Sequence, residues 1–305
     1  MSVKNYLSLI KFSHTIFAMP FAMIGFFLGV ARWQTGGGVW WGRNPFEAGE
    51  TQSISHFFLS KFILVIVCMV TARSAAMAFN RYLDRHFDAK NPRTAIREIP
   101  SGIISPDSAL RFTIFSCILF LVACYLINHI CFYLAPVALF VILFYSYTKR
   151  FTPLCHLVLG LGLSLAPIGA YLAVTGVFDL LPVLFSVAVI CWVSGFDIIY
   201  ALQDVEFDAS ENLYSIPRVL GKSRGLYVAA VLHVVSAACI LMAGLYGKFH
   251  FLYWIGFCVF AGMLVYQHSL VKPNDLRRVN IAFMTANGIA SVVFSAFVIA
   301  DIVLF

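Results

Sequence analysis

Nine apolar stretches leave this chain only one kind of environment. Runs of about twenty largely apolar residues, the length that crosses a bilayer's hydrocarbon, fall near 12–31, 57–79, 109–128, 130–148, 157–176, 180–203, 224–247, 250–271 and 280–304. Of the 305 residues, 61% are hydrophobic and 11% charged, against roughly 45–50% and about 25% in soluble globular proteins. A chain of this size folding in water keeps a polar surface. A soluble enzyme, a secreted disulfide scaffold and a disordered chain are therefore excluded. The expected fold class is all-α: a polytopic membrane protein of about nine transmembrane helices, forming one integral-membrane domain over 1–305. The first run lacks a small-residue cleavage site after a short apolar core, so it reads as a retained helix. The eight cysteines lie mostly inside apolar runs and form no C-x-x-C pair, so they read as small buried hydrophobes.

The formal net charge is +7. Here its distribution matters more than its sum, and no nucleic-acid partner is expected. With the N-terminus in the cytoplasm, all but Arg32, Arg43, Lys61 and Lys248 of the 21 Lys and Arg residues fall on the inner side, as the positive-inside rule requires. Of the 14 acidic residues, only Glu47, Glu50, Asp179 and Asp301 fall outside. Two inner connections, about 80–108 and 204–223, are long and polar. The expected location is the cell inner membrane, lipid all round, with the charged face in the cytoplasm.

Two acidic clusters occupy that face. Asn80, Asp84 and Asp88 are spaced by four residues. A step of four turns a helical side chain by only about 40°, so all three share one face over about 12 Å. Asp197, Tyr200, Asp204 and Asp208 fall at 0, +3, +7 and +11 and predict a second stripe. Each cluster is followed by a Pro and a Gly, Pro100 and Gly102 or Pro217 and Gly221, and the two lie four predicted helices apart. Such a repeat brings two acidic helix ends together across a cavity.

Stacked carboxylates repel, and the macrodipole disfavours negative charge at a helix C-terminus. Both clusters therefore need cations. Mg²⁺ suits them, because it binds one or two carboxylates per site and keeps water and phosphate oxygens as its other ligands. The alternative is an ordinary solvated helix end. Two copies, one preceded by the membrane-embedded Asp197, favour a site. Arg81, Arg85, Lys90, Arg93 and Arg97 sit in the first acidic loop, and Lys149 and Arg150 follow the fourth run. Their chemistry fits phosphate oxygens, although topology alone accounts for most of them. Lys11 either snorkels to the interface or contacts an acidic acceptor.

At these residues the sequence resembles the UbiA superfamily of intramembrane aromatic prenyltransferases. The carrying segments are NRYLDRHFDAKNPRTAIREIPSG (80–102), GFDIIYALQDVEFD (195–208) and SIP (215–217), with KFSHTIFAMPFA (11–22) and YSYTKRFTPLCHLVLG (145–160) in support. The 4-hydroxybenzoate polyprenyltransferase-like branch is the most similar. The resemblance implies a nine-helix fold with a central cavity under a polar cytoplasmic cap. It also implies Mg²⁺-dependent transfer of a polyprenyl group from polyprenyl diphosphate to an aromatic acid, 4-hydroxybenzoate or a dihydroxynaphthoate, in ubiquinone or menaquinone biosynthesis.

Carried over by position, Asn80, Asp84, Asp88, Asp204 and Asp208 become metal ligands, with the four aspartates and Asp197 catalytic. Arg81, Arg85, Lys149 and Arg150 become diphosphate contacts, and Lys11, Asp197 and Tyr200 acceptor contacts. Arg81 stands where many members have Asp, and Ala209 and Asn212 stand where Arg and Gly are expected. Asn tolerates left-handed backbone, so that turn is expected to survive. The competing readings are a cation-coupled secondary transporter and a prenyltransferase of the same superfamily with another acceptor.

Overall fold

The computed structural model describes residues 3–10, 17–34 and 51–305, leaving aside the side chains of 3–4 and 51–55. In chain order the helices are α1 (Val3–Leu9), α2 (Met19–Gln34), α3 (Thr51–Lys90), α4 (Pro106–Ile127), α5 (His129–Thr148), α6 (Cys155–Thr175), α7 (Leu180–Ala201), α8 (Val205–Ser210), α9 (Ile216–Leu220), α10 (Lys222–Tyr246), α11 (Phe251–Leu270) and α12 (Asn287–Leu304). A 3₁₀ turn, Leu202–Asp204, joins α7 to α8, and a π-helical turn, Ile281–Ala286, leads into α12. Among the described residues, eight helical segments are long and apolar enough to cross a membrane. They correspond to the second to ninth predicted runs. The first run overlaps α2, which has 16 residues, and its beginning lies outside the described residues.

Two boundaries differ from expectation. The second run continues past residue 79 without a break, so α3 has 40 residues and carries the whole first acidic cluster on helix. The sixth ends earlier as α-helix, and the 3₁₀ turn intervenes between Tyr200 and Asp208. A 3₁₀ turn advances about 120° per residue against about 100° in an α-helix, which rotates Asp208 by roughly 60° from the predicted stripe.

The tight turn between the third and fourth runs, at Asn128 and His129, rests on one side chain. Asn128 ends α4 and caps α5: its Oδ1 accepts from the Cys131 amide at 2.8 Å, and its Nδ2 donates to the Leu172 carbonyl at 2.8 Å. Asn128→Ala should therefore destabilise the bundle by about 1–2 kcal/mol, read as a lower melting temperature in detergent.

Aromatic residues form the interior where α2, α7, α11 and α12 meet. Phe21, Trp192, Phe260 and Phe294 are all fully buried, with ring centroids 5.3–6.4 Å apart. Such tilted and edge-on pairs add to plain area burial. Small residues let backbones approach. A Cβ on Gly25 would lie 2.0 Å from the Pro167 carbonyl oxygen where α2 crosses α6, and one on Gly160 would lie 2.5 Å from the Ile190 carbonyl oxygen where α6 crosses α7. The outer faces stay apolar: Tyr133, Val137 and Phe140 on α5 and Val265 on α11 are exposed. In lipid such a surface is matched; in water it would drive association.

Candidate active site

The C-terminal end of α3 and the α7–α8 junction come together at one end of the bundle. Between them lies a cavity of about 190 Å³. Asn80, Tyr145, Ser146 and Lys149 form one side, and His156, Asp197, Asp204, Asp208 and Ser215 form the other.

Asp84 is 2% exposed and is held from three directions. Lys149 Nζ donates to Oδ2 at 2.6 Å, Asn80 Nδ2 donates to the same oxygen at 3.1 Å, and Arg150 Nη2 reaches Oδ1 at 3.4 Å. Asp88 is also buried. Its Oδ1 accepts from Arg97 Nη1 at 2.7 Å, whereas its buried Oδ2 has no hydrogen-bond partner among the described residues. Burying an unpaired carboxylate oxygen is costly, so Asp88 is poised for a further cation.

Across the cavity, Arg93 forks onto Asp204, Nη2 to Oδ2 at 2.5 Å and Nε to Oδ1 at 3.2 Å. Its Nη1 donates to the Tyr200 hydroxyl at 2.8 Å. Burial opposes the Arg93 charge, but the adjoining Asp204 carboxylate more than offsets it and holds the guanidinium above its ordinary value. Asp208 accepts only a neutral donor, the Ser215 hydroxyl, at 2.8 Å.

The 91–105 segment is strapped across both clusters. Lys90 pairs with Glu211 at 2.7 Å, Arg93 with Asp204, and Arg97 with Asp88. The second cluster's loop is tied back in turn, because the Tyr214 amide donates to the Lys149 carbonyl at 2.6 Å. Asn212 adopts φ 54° at that turn, the left-handed conformation anticipated for Asn in place of Gly.

Of the residues singled out in the sequence, Asn80, Lys149, Asp197, Asp204 and Asp208 border the cavity. Asp84 adjoins it through Asn80 and Lys149, and Arg150 binds Asp84 and the Leu83 carbonyl. Tyr200 turns to Arg93 and lies 4.3 Å from the Phe283 ring. Arg81 is buried with Nε unpartnered. Arg85 instead donates to the Tyr82 carbonyl and lies over the Tyr82 ring. Lys11 lies outside the described residues.

Two further residues enter the site, Arg93 and His156. Arg93 is one basic loop residue among several in the sequence. His156 carries a usable signal, an ionisable residue at the edge of the fifth apolar run, and Arg73 carries one within the second. His156 Nδ1 lies 2.6 Å from Asp197 Oδ2. Arg73 sits seven residues, about 10 Å, from Asn80 along α3, away from the cavity lining, and its buried Nε has no hydrogen-bond partner among the described residues.

No group of three or more His, Cys, Asp or Glu side chains converges closely among the described residues. The carboxylates stand singly among cations, Asp84 with Lys149 and Arg150, Asp88 with Arg97 and Asp204 with Arg93. Chemically, such a set can take a multiply charged oxyanion at its cations and a hard divalent ion at one or two carboxylates.

The family model described as UbiA prenyltransferase family matches residues 49–289. A 4-hydroxybenzoate octaprenyltransferase from Tolumonas auensis is 28% identical over 75% of this chain and 79% of its own length. Another from Francisella tularensis is 28% identical over 80% and 84%. In structure, the apo UbiA homolog from Aeropyrum pernix K1 superposes with a TM-score of 0.76, at 25% identity, over 95% of this chain and 97% of that one. A UbiA homolog from Archaeoglobus fulgidus bound to GPP and Mg²⁺ gives 0.68 at 19% identity, over 98% and 99%, and so shares the fold. These matches displace the carrier reading. An all-helical membrane fold, with two acidic helix ends meeting at one cavity, thus has its place: the chain belongs to the UbiA prenyltransferase family and is a prenyltransferase.

Proposed function

We propose that this enzyme transfers a polyprenyl group from polyprenyl diphosphate to a ring carbon of an aromatic acid, 4-hydroxybenzoate or a dihydroxynaphthoate, in ubiquinone or menaquinone biosynthesis, with Mg²⁺ as cofactor. The observation that carries this reading is one cavity bordered by Asn80 of the first cluster, with Asp84 bonded behind it, and by Asp204 and Asp208 of the second. Asn80 and Lys149, both bonded to Asp84, stand on one wall, and Asp204 and Asp208 stand on the other. The relatives named 4-hydroxybenzoate octaprenyltransferase support the acceptor class, and the homolog with GPP and Mg²⁺ supports the donor and the ion. In the cell this end of the bundle would face the cytoplasm from the inner membrane.

The donor set fits Mg²⁺. All ligating atoms are hard oxygens, the unpartnered Asp88 Oδ2 accepts a cation without displacing one, and Asp208 gives up only a hydroxyl. Asn80, Asp84 and Asp88 would hold ions on one side, and Asp204 and Asp208 on the other. Bound there, the ions supply Lewis-acid stabilisation of the departing diphosphate.

The chain's own cations complete the anion site. Lys149 and Arg150 are paired with Asp84, and Arg93 with Asp204. They exchange carboxylate for phosphate as the diphosphate binds, and they stabilise its charge as the C–O bond breaks. Asp197 and Tyr200 would orient the acceptor's phenol end. The apolar bundle keeps water from the allylic cation, which would otherwise give prenyl alcohol.

The test is transfer from geranyl diphosphate to a panel of aromatic acids in washed membranes. We expect transfer to 4-hydroxybenzoate or a dihydroxynaphthoate, loss with EDTA, and restoration by excess Mg²⁺. Activity undiminished by the chelator, or no acid prenylated, overturns the reading.

A further inference from the structure

We infer that His156 is a positioning residue that holds Asp197 as the base removing the ring proton after the prenyl group has attached. The inference rests on the reaction class proposed above and adds two roles to it.

Aromatic substitution ends with a proton that must go somewhere. The prenyl C1–O bond breaks, and the diphosphate leaves with its electron pair. A C1–ring bond then forms at the cost of the ring's aromaticity. Finally the C–H bond at that ring carbon breaks, its electron pair returns to the ring, and the proton needs an acceptor. The carboxylates that hold ions and the carboxylates paired with Arg or Lys are poor candidates, because their charge is already engaged. Asp197 differs from them. It borders the cavity, and it lies seven residues, about 10 Å along the helix, from Asp204 at the diphosphate end. Its one hydrogen-bonding partner among the described residues is the imidazole of His156.

The hydrogen bonds around that imidazole fix its state. The Ile216 amide donates to His156 Nε2 at 3.3 Å. A backbone N–H can only donate, so Nε2 carries the lone pair. The ring proton is therefore on Nδ1, and it is donated to Asp197 Oδ2 at 2.6 Å. His156 is 3% exposed, and its carbonyl accepts from Ser194 on α7 at 3.0 Å. The ring is thus clamped between α6, α7 and the start of α9. With Nε2 engaged, the imidazole does not receive the substrate's proton itself. It satisfies one oxygen of Asp197 and leaves Oδ1 to accept from the ring carbon. Fixing one oxygen through a neutral N–H orients the carboxylate toward the cavity.

Deuterium in the acceptor provides the test. The accepted aromatic acid is deuterated at its open ring positions and turned over with geranyl diphosphate by the wild type, H156L and H156N. In the wild type, C–O cleavage limits the rate and the isotope effect on kcat is close to one. In H156L, kcat falls on the order of 10²-fold, the scale of a general-base contribution. KM for geranyl diphosphate is unchanged, and the deuterium effect rises to about two or more because proton removal has become slow. Asn places its Nδ2–H where the imidazole Nδ1–H was, so H156N recovers at least tenfold of the lost turnover and the isotope effect falls back. An unchanged H156L overturns the inference. So does a slow H156L whose isotope effect stays at one and which H156N does not rescue, because that pattern belongs to a purely structural residue. A wild type that prenylates no aromatic acid overturns the reaction class, and the inference with it.

Discussion

Replacing Asp84 or Asp204 by Asn should lower prenyl transfer by 10²–10³-fold, the loss seen when one preorganised electrostatic group is removed from a transition state. Both side chains keep nearly the same shape, so packing is preserved. Asp84 is buried, but its partners Lys149 and Arg150 remain partly open, with side-chain exposures of 30% and 29%. They can turn to water when the carboxylate goes. Asp204 leaves behind Arg93, which is 34% exposed. The melting temperature in detergent should therefore move far less than the rate. Both aspartates are proposed to act on one diphosphate, so the double variant should be little worse than the poorer single one, as expected for groups that work as a unit. Asp275→Asn is the control. Asp275 lies in the loop between α11 and α12, where hydrogen bonds from Arg277 hold its carboxyl below the ordinary carboxylate range. Its removal should leave transfer unchanged. Retention of more than a tenth of wild-type activity by D84N or D204N would dismiss the proposed role.

Gly25→Ala should be the most damaging single methyl in the bundle. The new Cβ would lie 2.0 Å from the Pro167 carbonyl oxygen and under 3 Å from the Pro167 carbonyl carbon and Cα. All of these are backbone atoms, so no side chain can swing aside. Pro167 has no N–H and has already cost α6 one internal hydrogen bond. Overpacking typically costs about 1–3 kcal/mol and occasionally more, and this crossing should lie at the upper end, a loss of roughly 5 °C or more in melting temperature. Gly169→Ala on α6 meets nothing within 4 Å. It should be neutral or stabilising by up to about 1 kcal/mol, because Ala favours helix. A Gly25→Ala protein as stable as Gly169→Ala would mean that α2 and α6 do not cross where described.

How much of this was legible in the sequence depends on the range of the physics. Apolar run length and the four-residue spacing of Asn80, Asp84 and Asp88 are local, and a helix turns local spacing directly into geometry. The tight turn at Asn128 and the left-handed turn at Asn212 were readable for the same reason. The 3₁₀ turn before Asp204 was not, because nothing in Leu202–Asp204 prefers that tighter winding over an α-helix. Partner choice was also hidden. Arg85 and Arg93 look alike in a basic loop, yet one lies over Tyr82 and the other forks onto Asp204, 111 residues away. His156 depends on Asp197 and on an amide 60 residues further on. Only the assembled fold brings those three together.

The forty-residue α3 measures about 60 Å, twice the thickness of the oily layer. Even at a tilt near 40°, at the limit of what spanning helices adopt, its ends stand clear of that layer by some 16 Å in all. Its apolar stretch 57–79 is about 34 Å long, the thickness of the oil, so the charged, largely protein-buried segment from Asn80 onward lies at the depth of headgroups and water. An amphiphile approaching from the side would find its greasy portion and its anionic head each already at the right depth. Neither a flip nor a plunge of charge through hydrocarbon is needed before chemistry begins.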